Sequence, residues 1–165
     1  PPGCGKTTAV QRVVEMQPDI AITGFYTQEV REEGRRSGFE MVGLSTGRRI
    51  MLASVHSTSE LRLRRYGIEL MGLEEIVQLE FAVESPAQLI VIDEVGKIEL
   101  YSQHFVDRVR SILDSDIPVL GTVAIRGEGL IAEVKSRPDT ELIEVNDDNR
   151  DELPRQIAEQ LSTLR

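Results

Sequence analysis

The sequence predicts an α/β fold: a mostly parallel sheet with helices on both faces and an antiparallel hairpin insert. Three observations carry that expectation. A glycine-rich loop at the start runs straight into an amphipathic helical stripe. In the second half, short apolar runs alternate with helical stripes, as parallel strands joined by crossover helices do. Between these lie three runs rich in β-branched and aromatic residues, separated by glycine turns. A length of 165 residues suits one domain, 1–165, with a sizeable core.

The elements follow in order. Thr7 to Met16 carries Val10, Val13 and Val14 at i, i+3, i+4 spacing, which predicts a helix that Pro18 ends. Ile20 to Val30 predicts a strand. Gly34 and Gly38 bracket "GRRSG", and "FEMVGL" and "RRIMLAS" predict two more strands. Leu73, Ile76, Val77 and Phe81 predict a helix in "LEEIVQLEFAVES". "QLIVID", Gln88 to Asp93, reads as a strand buried on both faces and ending in a carboxylate. Phe105, Val106, Val109, Ile112 and Leu113 mark the next helix, and Pro118 to Val123 a second buried strand. "EGLIAEVKSR" predicts a helix and "TELIEV" an extended segment. The last helix is expected from near Asn149 to Asp151, burying Leu153, Ile157, Leu161 and Leu164.

Composition narrows the function. The chain is 40% apolar and 28% charged, ordinary for a soluble globular protein, and no run is long enough to span a membrane. One cysteine, Cys4, excludes an internal disulfide framework and fits a reducing, cytoplasmic location. The net charge of -9 argues against a nucleic-acid partner, which requires clustered Lys and Arg. The local basic runs "REEGRR" and "LRLRRY" read as solvated surface. His56 and His104 stand far apart with no Cys beside them, which gives no transition-metal cluster.

The chemistry lies in two stretches. "PPGCGKTT", Pro1 to Thr8, fits G-x-x-x-x-G-K-[ST] from its second position onward. Gly3 and Gly5 let the backbone wrap an anion, and its N–H groups form a nest at a helix N-terminus. Lys6 reaches β and γ phosphates, the Thr7 hydroxyl is a Mg²⁺ ligand, and Thr8 meets an α phosphate. The second stretch is "LIVIDEVGKIEL". Asp93 at the strand end is the expected second Mg²⁺ residue, opposite Thr7. Glu94 points elsewhere and can orient or deprotonate a water aimed at the γ phosphate. Lys97 either touches phosphate or pairs with Glu94 or Glu99. Ligands of such sheets sit at the strands' carboxyl ends.

These residues resemble a known family, the small nucleoside-triphosphatases first described in thermophiles, within the phosphate-loop NTPase superfamily. The resemblance rests on "PPGCGKTT", on "GFYTQEVREEGRRSGFEMVGL", on "VIDEVGKIELYSQHF" and on "SRPDTELIEVNDDNRDEL" with Asn149-Arg150-Asp151. It implies hydrolysis of ATP, GTP and other nucleoside triphosphates to diphosphate and phosphate, with Mg²⁺. It implies nucleotide contacts from Pro1, Pro2, Gly3, Cys4, Gly5, Lys6 and Thr7, and from Val91, Ile92, Asp93, Glu94, Val95, Gly96, Lys97 and Ile98. The family also has a leading glycine and a first strand before the loop. These would lie upstream of Pro1, and a chain beginning at Pro1 is expected to fold and turn over poorly.

Arg126, past the strand "PVLGTVAI", and Arg137, after the next helix, are the candidate transition-state arginines. Arg150 could instead hold the base or the fold. For all three, a surface ion pair is the alternative. Thr122 is expected beside Asp93 if their strands pair. Glu29 and Arg31 read as a cross-strand ion pair, and Phe25, Tyr26 and Phe39 as hairpin core. Two other functions stay open: a small-molecule or nucleotide kinase with the arginine runs as its lid, and a slow nucleotide-dependent switch. No sequence feature fixes the oligomeric state, with a monomer the simpler expectation.

Overall fold

The computed structural model describes residues 4–82 and 86–164. Its elements are α1 (Lys6–Glu15), β1 (Ile22–Glu32), β2 (Arg35–Gly43), β3 (Arg49–Ser54), β4 (Arg62–Leu63), β5 (Tyr66–Ile68), α2 (Leu70–Glu80), β6 (Leu89–Val95), α3 (Gln103–Leu113), β7 (Val119–Val123), α4 (Leu130–Ser136) and α5 (Leu153–Thr163). A single 3₁₀ turn, Glu99–Tyr101, follows β6.

One sheet of seven strands runs in the order β4-β5-β3-β2-β1-β6-β7. The hairpins therefore extend the main sheet. β1 joins both parts: it pairs antiparallel with β2 and parallel with β6. Only β1–β6 and β6–β7 are parallel among the described residues, so the antiparallel share is larger than the alternation suggests.

Turn chemistry explains the main hairpin. β1 and β2 are joined by Glu33 and Gly34, both with positive φ, 48° and 76°. That is the two-residue turn whose twist matches paired strands, and it wants glycine at its second position. The turn therefore falls on Glu33-Gly34. Gly38, expected to flank it, sits inside β2 opposite Val30 and Ser54.

Period-two alternation divides the sheet's faces. Phe25, Ile90 and Ile92 join Leu73, Ile76, Phe105, Val109, Leu130 and Ile131 in one core, beneath α2, α3 and α4. There Phe25 packs with Phe81 and Phe105, ring centroids 5.9 and 6.3 Å away. Leu89 and Val91 face the other way, against Val10 and Val13 of α1 and Leu161 of α5. Helices thus cover both faces, as the sequence predicts. Tyr26 and Phe39 are only partly buried, and Phe39 stacks edge-on against Tyr66 at 5.4 Å.

Two boundaries differ from expectation. "TELIEV" forms no strand. An extended run becomes a strand only through a paired neighbour, and the described sheet ends at β7. α5 starts at Leu153, after a turn built by Asn146 and Asn149. Among the described residues, no helix is long and apolar enough to cross a membrane.

Candidate active site

The loop, β6 and β7 meet at the carboxyl ends of the parallel strands. Gly5 caps α1 with φ 97°, a left-handed conformation that costs glycine nothing. This turns the chain so that Lys6 and Thr7 open the helix, in its first turn where backbone N–H groups lack helical partners. Pro1, Pro2 and Gly3 lie outside the described residues. Cys4 is a free, partly buried thiol, and Thr8 is exposed on the first turn.

Asp93 is 2% exposed and gathers three donors. The Thr7 hydroxyl donates to Oδ2 at 2.7 Å. The Thr122 hydroxyl donates to Oδ1 at 2.6 Å. The Thr27 backbone N–H reaches Oδ2 at 3.3 Å. Burial pushes the Asp93 carboxyl above its ordinary range, against the pull of these donors. A bound dication would pull it back down.

Glu94 turns to the other half of the loop, where its Oε2 lies 3.3 Å from Lys6 Nζ. The pair is half-buried, with side chains 23% and 35% exposed. Two loop residues thus meet two strand-end carboxylates, each in a separate contact. Neighbouring carboxylates with different partners are free to take different roles.

The donor chemistry fits Mg²⁺. Thr7 and Asp93 offer hard oxygen ligands in contact with each other, and among the described residues no group of three or more His, Cys, Asp or Glu is placed to hold a metal. Mg²⁺ keeps several waters and takes few protein ligands beside substrate phosphate, so a two-residue protein set suits it.

Most side chains of the run Val91 to Ile98 are inside the fold. Val91, Ile92 and Val95 are core side chains, buried to 0%, 1% and 4%, and Ile98 packs against that core. Their side chains pack in the cores and set the position of Asp93 and Glu94. Lys97 is exposed and has no ion-pair partner among the described residues, so neither pairing considered for it forms.

Arg137 is a correction. It binds Asp139, Asp114 and the Leu113 carbonyl, at the end of α3 where the chain enters β7. That is the amino end of β7, opposite the end that carries Thr122, so Arg137 cannot serve the phosphates. Arg126 follows β7 on the correct end, exposed and unpaired among the described residues. The cross-strand ion pair of Glu29 forms with Arg36 of β2, at 2.9 Å, while Arg31 pairs with Glu29 at 3.0 Å within β1 itself.

Glu99 enters the sequence reading only as a partner for Lys97, and Thr27 is not singled out. Glu99 is 3% exposed and accepts the Gly96 N–H at 3.1 Å, which fixes the turn behind Glu94. Its signal was a charged residue set between Ile98 and Leu100. Thr27 acts through its backbone, which carries no sequence signal.

A family model described as NTPase matches residues 1–158. The chain belongs to the NTPase family. This NTPase is 37% identical over 164 residues to a nucleoside-triphosphatase THEP1 of Natranaerobius thermophilus, covering 97% of this chain and 92% of that one. It is 37% identical over 182 residues to a cancer-related nucleoside-triphosphatase homolog of Bos taurus, covering 100% and 95%. The crystal structure of THEP1 from the hyperthermophile Aquifex aeolicus superposes with a TM-score of 0.86, at 33% identity, covering 97% and 94%. The family is one of hydrolases, and this NTPase is an enzyme of it.

Proposed function

We propose that this NTPase hydrolyses ATP, GTP and other nucleoside triphosphates to the diphosphate and phosphate, with Mg²⁺. The observation that carries the reading is the double contact of the loop with one strand end, Thr7 to Asp93 and Lys6 to Glu94. Thr7 and Asp93 would hold the cation. Bound there, the cation would offset the charge of the phosphate oxygens.

The remaining steps belong to the chain's own groups. The loop N–H groups and the α1 terminus take the phosphates. Lys6 exchanges its carboxylate partner for phosphate oxygen, which frees Glu94. Glu94 then accepts a proton from water as its oxygen attacks the γ phosphorus. The bond from that phosphorus to the bridging oxygen breaks, and the diphosphate leaves with the electron pair. Thr122 holds Asp93 in place throughout.

The contacts of the arginine runs weigh against the kinase reading. Arg36 and Arg65 both donate to the Tyr66 hydroxyl at 3.0 Å, and Arg65 also binds the Arg36 carbonyl at 2.7 Å. The two arginine runs are thus tied to each other and to the sheet.

Phosphate release from ATP, GTP, CTP and UTP, with and without Mg²⁺, tests the proposal. All four should be cleaved, and only with the cation. Glu94→Gln should lower kcat by about 100-fold or more while nucleotide still binds, and Lys6→Ala should abolish binding. Full phosphate release from Glu94→Gln would remove the mechanism. Label transferred from ATP to an added nucleoside or monophosphate would favour the kinase.

A further inference from the structure

The loop has a second charged neighbour that neither carboxylate engages. Among the described residues, a Cβ added to Gly5 would meet the Cδ of Arg150, at 3.8 Å. The stem of Arg150 therefore lies across the loop, although 145 positions separate the two residues in the chain.

The turn before α5 is built to hold it there. Asn146 Oδ1 accepts the N–H groups of Asp148 and Asn149, at 3.0 and 3.1 Å. Asn149 Oδ1 accepts the Asn146 N–H at 2.9 Å, and its Nδ2 donates to the Glu144 carbonyl at 2.7 Å. The Arg150 N–H donates to the Asn146 carbonyl at 3.1 Å. Arg12 on α1 faces Asp151 at 3.6 Å, and α5 packs its Leu161 with α1's Val10 and Val13.

The guanidinium itself is not consumed by this framework. Its ion pair is Asp147, at 3.0 Å and three residues away, and Asp147 is 87% exposed. Such a pair contributes little and yields easily to a ligand. The Arg150 side chain is 47% exposed.

Position decides what it meets. Lys6, Asp93 and Glu94 fix the end of the loop that takes the reacting phosphate. A substrate bound there by its reacting phosphate extends away from that end toward solvent, and Thr8, the next residue of α1, is exposed. Arg150 flanks the loop from the α5 side, within reach of a ligand held at Gly5. A guanidinium is planar and stacks on the π-face of any base.

We infer that Arg150 is the nucleoside contact of this site, its guanidinium stacking on the base while its stem packs on Gly5. The inference rests on the reading of the loop as a triphosphate site. It adds selection for a nucleoside over a bare polyphosphate chain, without selection among bases, since every base offers the same face.

The test is equilibrium binding by calorimetry, for four nucleoside triphosphates and for inorganic tripolyphosphate. Arg150→Met keeps an apolar stem over Gly5 and removes the guanidinium. It should weaken ATP, GTP, CTP and UTP alike, by about tenfold. Tripolyphosphate should bind within about twofold of the unaltered protein. Arg150→Lys should recover little, because it restores charge and not the plane. An equal loss for tripolyphosphate would assign Arg150 to the phosphate chain and overturn the inference. So would unchanged ATP binding, which would leave Arg150 an ordinary partner of Asp147. If the unaltered protein binds nucleotides yet releases no phosphate, the hydrolysis reading falls while the Arg150 comparison still decides. Failure of the unaltered protein to bind any of these ligands would remove both.

Discussion

Burial of Glu99 behind the site carries a pH dependence of its own. Its carboxyl is pushed up from 4.5 to about 8, chiefly by burial and further by the charges of Glu94 and Asp93, against the N–H groups of Glu99 and Gly96. The sign follows from linkage. Above pH 4.5 the unfolded chain releases this proton, while the folded chain keeps it up to about pH 8. The folded state thus binds more protons across that window, so Glu99's contribution to stability is greatest below it and falls as pH rises through it. Glu99→Gln keeps an acceptor for the Gly96 N–H and removes the titration. Its stability relative to the unaltered protein should rise steadily between pH 5 and pH 8, by urea unfolding at several pH values. Parallel curves would mean that Glu99 is ionised in the fold.

At the scale of elements, a second buried carboxylate ties three of them together. Glu80, 1% exposed at the end of α2, accepts the Gly24 N–H of β1 at 3.3 Å. It also accepts the N–H groups of Ser45 and Thr46, at 3.1 and 3.0 Å, and both their hydroxyls, at 2.8 and 2.6 Å. These five donors pin the β2–β3 turn and α2 to β1. Glu80→Ala leaves the buried Gly24 N–H without its acceptor, at a cost of about 1–3 kcal/mol, while the N–H groups of exposed Ser45 and Thr46 can turn to water. A loss of roughly 2–3 kcal/mol is expected, read from the urea midpoint. Gly24 lies three residues before Thr27 on β1, so phosphate release at low temperature should survive in the folded fraction. A change under about 1 kcal/mol would show that water replaces the carboxylate. Helices and strands were legible in the sequence because their apolar spacing is a local signal: Val10-Val13-Val14 and Leu89 to Asp93 both read correctly. The meeting of Lys6 and Thr7 with Glu94 and Asp93 was legible because those residue types at those spacings mark a loop and a strand end that face each other. What escaped depends on partners remote in sequence. "TELIEV" has strand composition and no strand beside it. Arg137 has the right residue type at the wrong end of β7. The Glu80 hub is set by three backbone N–H groups and two hydroxyls, all at least 34 positions away, a pairing that composition does not reveal.

For the whole molecule, the site belongs to both cores at once. β6 places Ile90, Ile92 and Val95 in the core under α2 and α3, and Leu89 and Val91 in the core under α1 and α5. Asp93 and Glu94 lie between Val91 and Val95 on that strand, and α1 carries the loop on the second face. No opening of one core alone preserves the contacts of Lys6 and Thr7 with this strand end. A ligand at the loop should therefore stabilise the protein as one cooperative unit. A non-hydrolysable triphosphate with Mg²⁺ at 100 times its Kd should add about 2.7 kcal/mol. For a chain of this size that raises Tm by roughly 5–10 °C. The whole transition should move, seen equally by far-ultraviolet circular dichroism and by calorimetry, and Lys6→Ala should remove the shift. A shift confined to part of the unfolding transition would mean that the core under α1 and α5 melts independently, and that β6 does not couple the two faces.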